Sequence, residues 1–301
     1  MKIGIDLGGT KIEGIALDTN GDELLRHRVP TPAGNYRKTL EAIAELIRYI
    51  ETSTAKPGTV GIGTPGAISP ASGRLRNSNS VCMNGQPVKE DLQRLLKREI
   101  RMSNDANCFA LSEATDGAAK DESVVFGVII GTGTGAGVVV NGRVLTGPNA
   151  IAGEWGHNPL PWAKESERPG PECYCGKRGC IETFLSGPGL LNDYLAGCVD
   201  QTLSDKNITA VDIVKLADDC NQQAEACLQR YEDRLARGLA HIINILDPDV
   251  IVLGGGMSNI SRLYSHVPKI WAKYVFSDSV NTKLRAPMYG DSSGVRGAAW
   301  L

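Results

Sequence analysis

The strongest constraint in this sequence is a repeated pattern of strand, glycine turn and strand. Apolar residues alternate from Lys2 to Leu7, the chain turns at Gly8-Gly9-Thr10-Lys11, and a second strand pattern runs from Ile12 to Leu17 before Asn20-Gly21. Asn-Gly is a strong hairpin signal because both residues tolerate positive φ. The same order returns later: an apolar strand from Val124 to Ile130, a turn over Gly131-Thr132-Gly133-Thr134-Gly135-Ala136-Gly137, a strand from Val138 to Val140, and Asn141-Gly142. Repetition of this kind predicts two lobes of common design, and 301 residues is enough chain for both.

Between the two patterns, the spacing predicts a helix over Tyr36 to Tyr49, a strand over Thr59 to Gly63 and a Pro/Gly-rich loop from Thr64 to Pro70. A polar segment with Asn77, Asn79 and Asn84 follows. Next come a helix over Pro87 to Arg98, a strand over Glu99 to Ser103 and a helix over Ala106 to Gly117, which sets Asp105 at a strand-to-helix junction. Near the other end, Ala224 to Leu246 has helical spacing broken by Asp247-Pro248, and a β-rich run from Asp249 to Leu253 ends in Gly254-Gly255-Gly256. Units of strand, glycine turn and helix make an α/β fold. The lobes are expected at 1–118 and 119–301, with the last helix able to pack back on the first lobe.

A formal charge of −2 without long runs of like charge gives no footprint for nucleic acid or an anionic membrane. Small-molecule partners are expected. Lys2-Ile3-Gly4-Ile5-Asp6 lacks the cationic lead of a signal peptide, and no apolar run approaches the ~20 residues of a membrane helix, so a cytoplasmic location is expected.

Three of the eight cysteines crowd into Cys173-Tyr-Cys175-Gly-Lys-Arg-Gly-Cys180, too dense for bridges between distant loops and suited to a metal. A tetrahedral site needs a fourth ligand. His157 is the nearest of four histidines, although such a residue is also common as an ordinary loop or core histidine. Three thiolates and one imidazole would leave no position for water, so the ion would be structural. Cys82, Cys108, Cys198, Cys220 and Cys227 are expected to be reduced core or helix-face residues.

Each glycine turn follows a strand, where backbone amides can approach phosphate oxygens and threonine hydroxyls can add donors. None has the Walker A spacing. Asp6, two residues before Gly8, can face a magnesium ion on ATP or simply cap the turn, and Lys11 can meet phosphate or lie on the surface. Asp105 is the candidate base for phosphoryl transfer, and an Asp before a helix is equally an ordinary N-cap.

Ile5-Asp6-Leu7-Gly8-Gly9-Thr10-Lys11 resembles the first phosphate motif of the sugar kinase, hsp70 and actin superfamily. Within it, Gly153-Glu154-Trp155-Gly156-His157 followed by Cys173-x-Cys175-Gly-x-x-Gly-Cys180-x-Glu182 is similar to the zinc motif of the ROK family, bacterial sugar kinases and related repressors. The likeness runs from Met1 to the Arg296-Gly-Ala-Ala-Trp300 end. It implies a two-lobed, actin-like ATPase fold related to ribonuclease H, with the active site in a cleft between the lobes. It also implies ATP with Mg2+, bound through Gly4, Asp6, Gly8, Gly9, Thr10, Lys11, Gly131, Thr132, Gly133, Thr134, Gly135, Gly254, Gly255 and Gly256. A structural Zn2+ on His157, Cys173, Cys175 and Cys180 is implied, together with sugar contacts from Gly66, Asn79, Asn104, Asp105, Glu154, His157 and Glu182. Asp105 would deprotonate the acceptor, and the chain would be a homodimer.

The loop Gly153 to Pro161, with Asn79 and Asn84, resembles the family's fructokinases that also accept mannose. Fructose is therefore the expected acceptor, with N-acetylglucosamine or glucose as the alternative. A sugar-responsive repressor is disfavoured, since the first strand begins at Lys2 and there is no basic patch. Zinc would fix one nitrogen of His157 and leave the other for a sugar hydroxyl, so metal removal is expected to weaken sugar phosphorylation more than ATP binding.

Overall fold

A computed structural model of the chain describes residues 1–197, 208–290 and 293–301. Cys198 lies outside them. The described residues divide into two compact units, one of 1–123, 137–153 and 288–301, the other of 124–136 and 154–287. The division is discontinuous, and it passes through a strand and not only through the loop near Gly117.

The first unit is built on β1 (Lys2–Leu7), β2 (Lys11–Leu17), β3 (Glu23–Pro30), α1 (Tyr36–Thr54) and β4 (Thr59–Thr64). A small hairpin, β5 (Ala67–Ile68) and β6 (Leu75–Arg76), is followed by α2 (Val88–Leu96), β7 (Arg101–Asn104) and α3 (Asp105–Thr115). The sheet has the order β3-β2-β1-β4-β7, antiparallel through β1, β2 and β3 and parallel from β1 to β4 to β7. Alternation in β1 divides its residues between two faces. Ile3, Ile5 and Leu7 join a core with Leu40, Ile43, Leu46, Ile47 and Ile50 of α1. That apolar spacing explains why α1 runs to Thr54, past the expected end at Tyr49, before Ala55 closes it in a left-handed conformation.

The other face of β1 receives α9 (Ser293–Trp300) at backbone distance. A Cβ on Gly4 would lie 2.1 Å from the Val295 carbonyl oxygen, and one on Gly61 of β4 would lie 1.9 Å from that of Ala298. Only glycine lets the helix lie this close. Polar contacts tie α9 to α3: Glu113, fully buried, accepts from the Ser293 hydroxyl at 2.6 Å, and Asp116 pairs with Arg296.

In the second half of the chain, β8 (Val124–Ile130), β9 (Thr134–Val140) and β10 (Arg143–Val144) are followed by α4 (Ile181–Leu185), α5 (Gly187–Ala196), α6 (Ala210–Asp218) and α7 (Gln222–Leu246). The chain continues through β11 (Val250–Gly254), α8 (Leu263–Trp271) and β12 (Lys283–Arg285). The hydrogen-bonded order is β10-β9-β8-β11-β12, with β8, β11 and β12 parallel. β9 begins at Thr134, inside the glycine run expected to be all turn, because its glycines can be extended as readily as bent. Cys108 and Cys227 are buried and Cys82 partly so, whereas Cys220 is exposed in the turn after α6 and is not a core residue. No helix among the described residues is long and apolar enough to cross a membrane.

A buried ion network fastens the 161–167 loop of the second unit to α7. Arg237 and Arg234 both bond Glu167 Oε1, at 2.7 and 2.9 Å, while Arg237 also donates to the carbonyls of Pro161 and Trp162. Burial pushes the Glu167 carboxyl up, but hydrogen bonds from Arg237, Arg234 and the Lys164 amide outweigh it and hold the pKa down at about 2. A carboxyl depressed in the folded state stabilises above its unfolded pKa and loses that contribution as pH falls through the folded value. Stability from this group should therefore drop between about pH 5 and pH 2. Glu167→Gln should lower the melting temperature at pH 7 and flatten its fall between about pH 5 and pH 2. An unchanged acid profile in the variant would contradict this account.

Candidate active site and metal cluster

In the first unit, the turn after β1 is held by its own backbone and by the end of β3. The Gly8 amide donates to the Lys11 carbonyl at 3.0 Å, Thr31 Oγ1 donates to the Gly8 carbonyl at 2.8 Å, and the Thr31 amide donates to Thr10. A Cβ on Gly9 would point into open space. Thr10 and Lys11 are exposed beside it. Asp6 is partly buried at the end of β1, and burial pushes its carboxyl up to about 6, with repulsion from Asp105 and Glu13 adding and Lys11 opposing. Gly4, expected among the nucleotide contacts, is instead buried where α9 presses on β1.

Asn104 and Asp105 divide the junction differently from the expectation. Asn104 is the N-cap of α3, its Oδ1 accepting from the Ala106 amide at 2.9 Å, and Asp105 is the first helical residue, its Oδ1 accepting from the same amide at 2.8 Å. Thus the capping demand falls on both side chains. Asn104 Nδ2 also donates to the Gly66 carbonyl at 3.1 Å, which brings these two expected sugar contacts together. Gly66 has φ +80 and no room for a side chain against the Arg76 carbonyl. Asn79 is exposed, and Asn84 is occupied with both the amide and the carbonyl of Ser78.

The second unit carries the other two glycine turns. At the first, the Gly131 amide donates to the Gly133 carbonyl at 2.9 Å, the Gly187 amide donates to the Gly131 carbonyl at 2.8 Å, and the Thr134 amide donates to Glu182 Oε2 at 2.9 Å. Thr132 is exposed, and Gly135 lies within β9. Thr134 Oγ1 is buried without a hydrogen-bond partner, an expensive arrangement unless something else meets it. Gly254 ends β11, and Gly255, at φ +77, packs on the backbone of Ile130. At Gly131 and at Gly256 a Cβ would meet nothing within 4 Å, as at Gly9.

The cysteine-rich segment is folded beside the His157 segment by main-chain pairing. The Leu160 amide donates to Gly179 at 3.0 Å and the Ile181 amide to Asn158 at 2.9 Å, which sets Cys180 beside His157. Gly176 and Gly179, both at positive φ, turn the chain between the cysteines. The result is a four-donor cluster: one ligand atom each from His157, Cys173, Cys175 and Cys180, all within 4.8 Å of one another. His157 Nδ1 faces inward, 3.5 Å from Cys173 Sγ. Trp155 anchors this turn, its ring over Gly238 of α7 and its Nε1 donating to the Gly238 carbonyl at 3.3 Å.

The outward nitrogen of His157 is engaged, unlike the expectation that it waits for a sugar. Nε2 lies 2.8 Å from the Tyr174 hydroxyl, and the two rings stand edge to face. Partial desolvation is the leading cause that pushes the Tyr174 phenol up to about 12, with Glu182, Cys173 and Glu154 opposing a phenolate nearby. Tyr174 therefore faces that ring nitrogen, with Glu154 and Glu182 near enough to act on the phenol by charge. Sequence reasoning passed over Tyr174, and its place between two ligand cysteines was the signal that could have found it. Glu182 was expected at a sugar, and here one of its oxygens holds the glycine turn.

The chain matches the ROK family over residues 2–301. It is 38% identical over 305 residues to the N-acetyl-D-glucosamine kinase of Yersinia pseudotuberculosis (serotype O:3, strain YPIII), covering 100% of this chain and 98% of that one. The N-acetyl-D-glucosamine kinase of Vibrio atlanticus (strain LGP32) is 38% identical over 307 residues, covering 100% and 99%. Among solved structures, the ROK hexokinase of Thermus thermophilus is 31% identical with a TM-score of 0.86, covering 100% of this chain and 97% of that one. The fold is accordingly the actin-like α/β fold expected from the sequence. These end-to-end likenesses, together with the glycine turns and the cysteine-histidine motif, show that the chain belongs to the ROK family.

Proposed function

We propose that the protein transfers the γ-phosphoryl group of ATP to the terminal hydroxyl of a hexose. The observation that carries the nucleotide half is common to the three strand-following turns: each contains a glycine, Gly9, Gly131 or Gly256, whose Cβ direction is open. Such turns give phosphate oxygens access to backbone amides. The unpartnered Thr134 hydroxyl adds a buried donor beside one of them. Asp6, at the end of β1 before the first turn, is the residue that would hold the magnesium ion accompanying ATP. The ion supplies charge neutralisation on the phosphates.

For the acceptor, Asp105 would orient the attacking hydroxyl and take its proton as the new P–O bond forms, with ADP leaving. Asn104, braced on Gly66, and Glu154 with His157 would hold ring hydroxyls. The four-donor cluster fits zinc, because three thiolates and an imidazole match its tetrahedral, borderline-soft chemistry and close the site to water. Zinc bound there would fix the His157 ring through Nδ1, leaving Nε2 as the atom presented to hydroxyls, with Tyr174 as its present partner.

N-acetylglucosamine is the acceptor best supported, since the curated relatives at 38% identity are kinases of that sugar. The fructose expectation rested on one loop and on Asn79 and Asn84, and the latter's amide is bonded to both the amide and the carbonyl of Ser78. A magnesium-dependent ADP-release assay should give the highest kcat/KM with N-acetylglucosamine, ahead of glucose, mannose and fructose. Fructose in first place would return the acceptor to the loop-based reading, and no turnover with any sugar would overturn the enzyme. Asp105→Asn should lower kcat by roughly 10²- to 10⁴-fold while ATP binding survives. Near-normal turnover would remove Asp105 from the role of base.

A further inference from the structure

Thr134 is gripped by the two segments that also supply the metal donors. The Glu182 carboxylate, two residues after Cys180, accepts from its amide at 2.9 Å. Gly156, immediately before His157, packs on its carbonyl so closely that a Cβ there would lie 1.9 Å from the oxygen. Gly133 is shaped by the same contact, since a Cβ on it would fall 2.7 Å from Glu182 Oε2. The Gly131 carbonyl is held in turn by the Gly187 amide at the start of α5, just after the helix that carries Glu182.

We propose that Glu182 is a positioning residue for the nucleotide-phosphate turn Gly131–Thr134, acting through its hydrogen bond to the Thr134 amide. The proposal rests on the reading that this turn meets the phosphates of ATP. With its amide tied to Glu182, Thr134 turns a different group, its unpartnered hydroxyl, toward a ligand, and the neighbouring amides of the turn are fixed in place. A carboxylate accepting a backbone N–H is among the stronger neutral-to-charged contacts, and its loss leaves that donor without a partner. The consequence departs from a sugar-only role. Disturbing Glu182 affects nucleotide binding even when no sugar is present.

The test is the dissociation constant of magnesium with a non-hydrolysable ATP analogue, measured calorimetrically without hexose on the full chain and its variants, with melting temperatures recorded alongside. Glu182→Ala should weaken nucleotide binding by about tenfold. Glu182→Gln should stay within about threefold of wild type, because its amide oxygen can still accept from Thr134. Glu182→Asp, one methylene short, should follow the alanine variant and serves in its place if that one does not fold. Wild-type affinity in both the Ala and Asp variants, or equal weakening in Gln and Ala, would overturn the proposal. Tighter binding by the Ala variant would also overturn it, since the carboxylate would then be occupying a position the phosphate needs. If the wild type binds no nucleotide, the proposed function fails as well, which is a different result from normal binding by the variants.

Discussion

The four-donor cluster is the constraint from which the proposed site of the second unit is built. The segment from Pro171 to Gly179 contributes little to the apolar core: Glu172, Tyr174, Cys175, Gly176, Lys177 and Arg178 are all exposed. A loop of this composition has almost no hydrophobic burial to offset its ordering entropy. What it has instead is a set of soft donors that converge with His157. An ion binding there would contribute the folding free energy that side-chain packing does not. Tyr174, which that loop places, and the orientation of His157 would inherit its order, whereas Glu182 is also held by the buried Ile181, Phe184 and Leu185 of α4.

The first unit holds its strand end in place by different means. Glycines in β1 and β4 allow α9 to lie against strand backbones, and buried Glu113 bonds the start of that helix. The end of β1, where Asp6 and the first glycine turn sit, is thus covered on one face by α1 and on the other by a helix from the far end of the chain. Gly4 belongs to this packing, although its motif had placed it among ligand contacts. A glycine inside a phosphate motif need not touch phosphate. Here the same short stretch serves a turn and a helix dock.

Much of this was legible in the sequence for a physical reason. Period-2 apolar alternation marks β1, a continuous apolar run marks β8, and the glycine turn between β1 and β2 signals their pairing. Soft ligands at short spacing also announce themselves, and the gathering of Cys173, Cys175 and Cys180 with His157 agrees with that reading. Less legible were features set by neighbours distant in sequence. Whether Asn104 or Asp105 caps α3 depends on backbone geometry at the junction, and either residue type suits the position. The Glu182 bond to Thr134 spans 48 residues, and nothing local distinguishes it from a first-turn helix acid. Tyr174 looks like an exposed loop residue until His157 is beside it. Acceptor identity is less visible still, because it depends on which hydroxyls find partners and not on residue type alone.

On the proposed reading, an ion at His157, Cys173, Cys175 and Cys180 would organise both the residues assigned to the sugar and those assigned to the phosphates in the second unit. The most direct measurement is the metal content of the purified, catalytically competent chain by elemental mass spectrometry. The account predicts about one zinc per chain, lost together with activity on chelation. A chain free of stoichiometric metal that phosphorylates its sugar at an undiminished rate would contradict it.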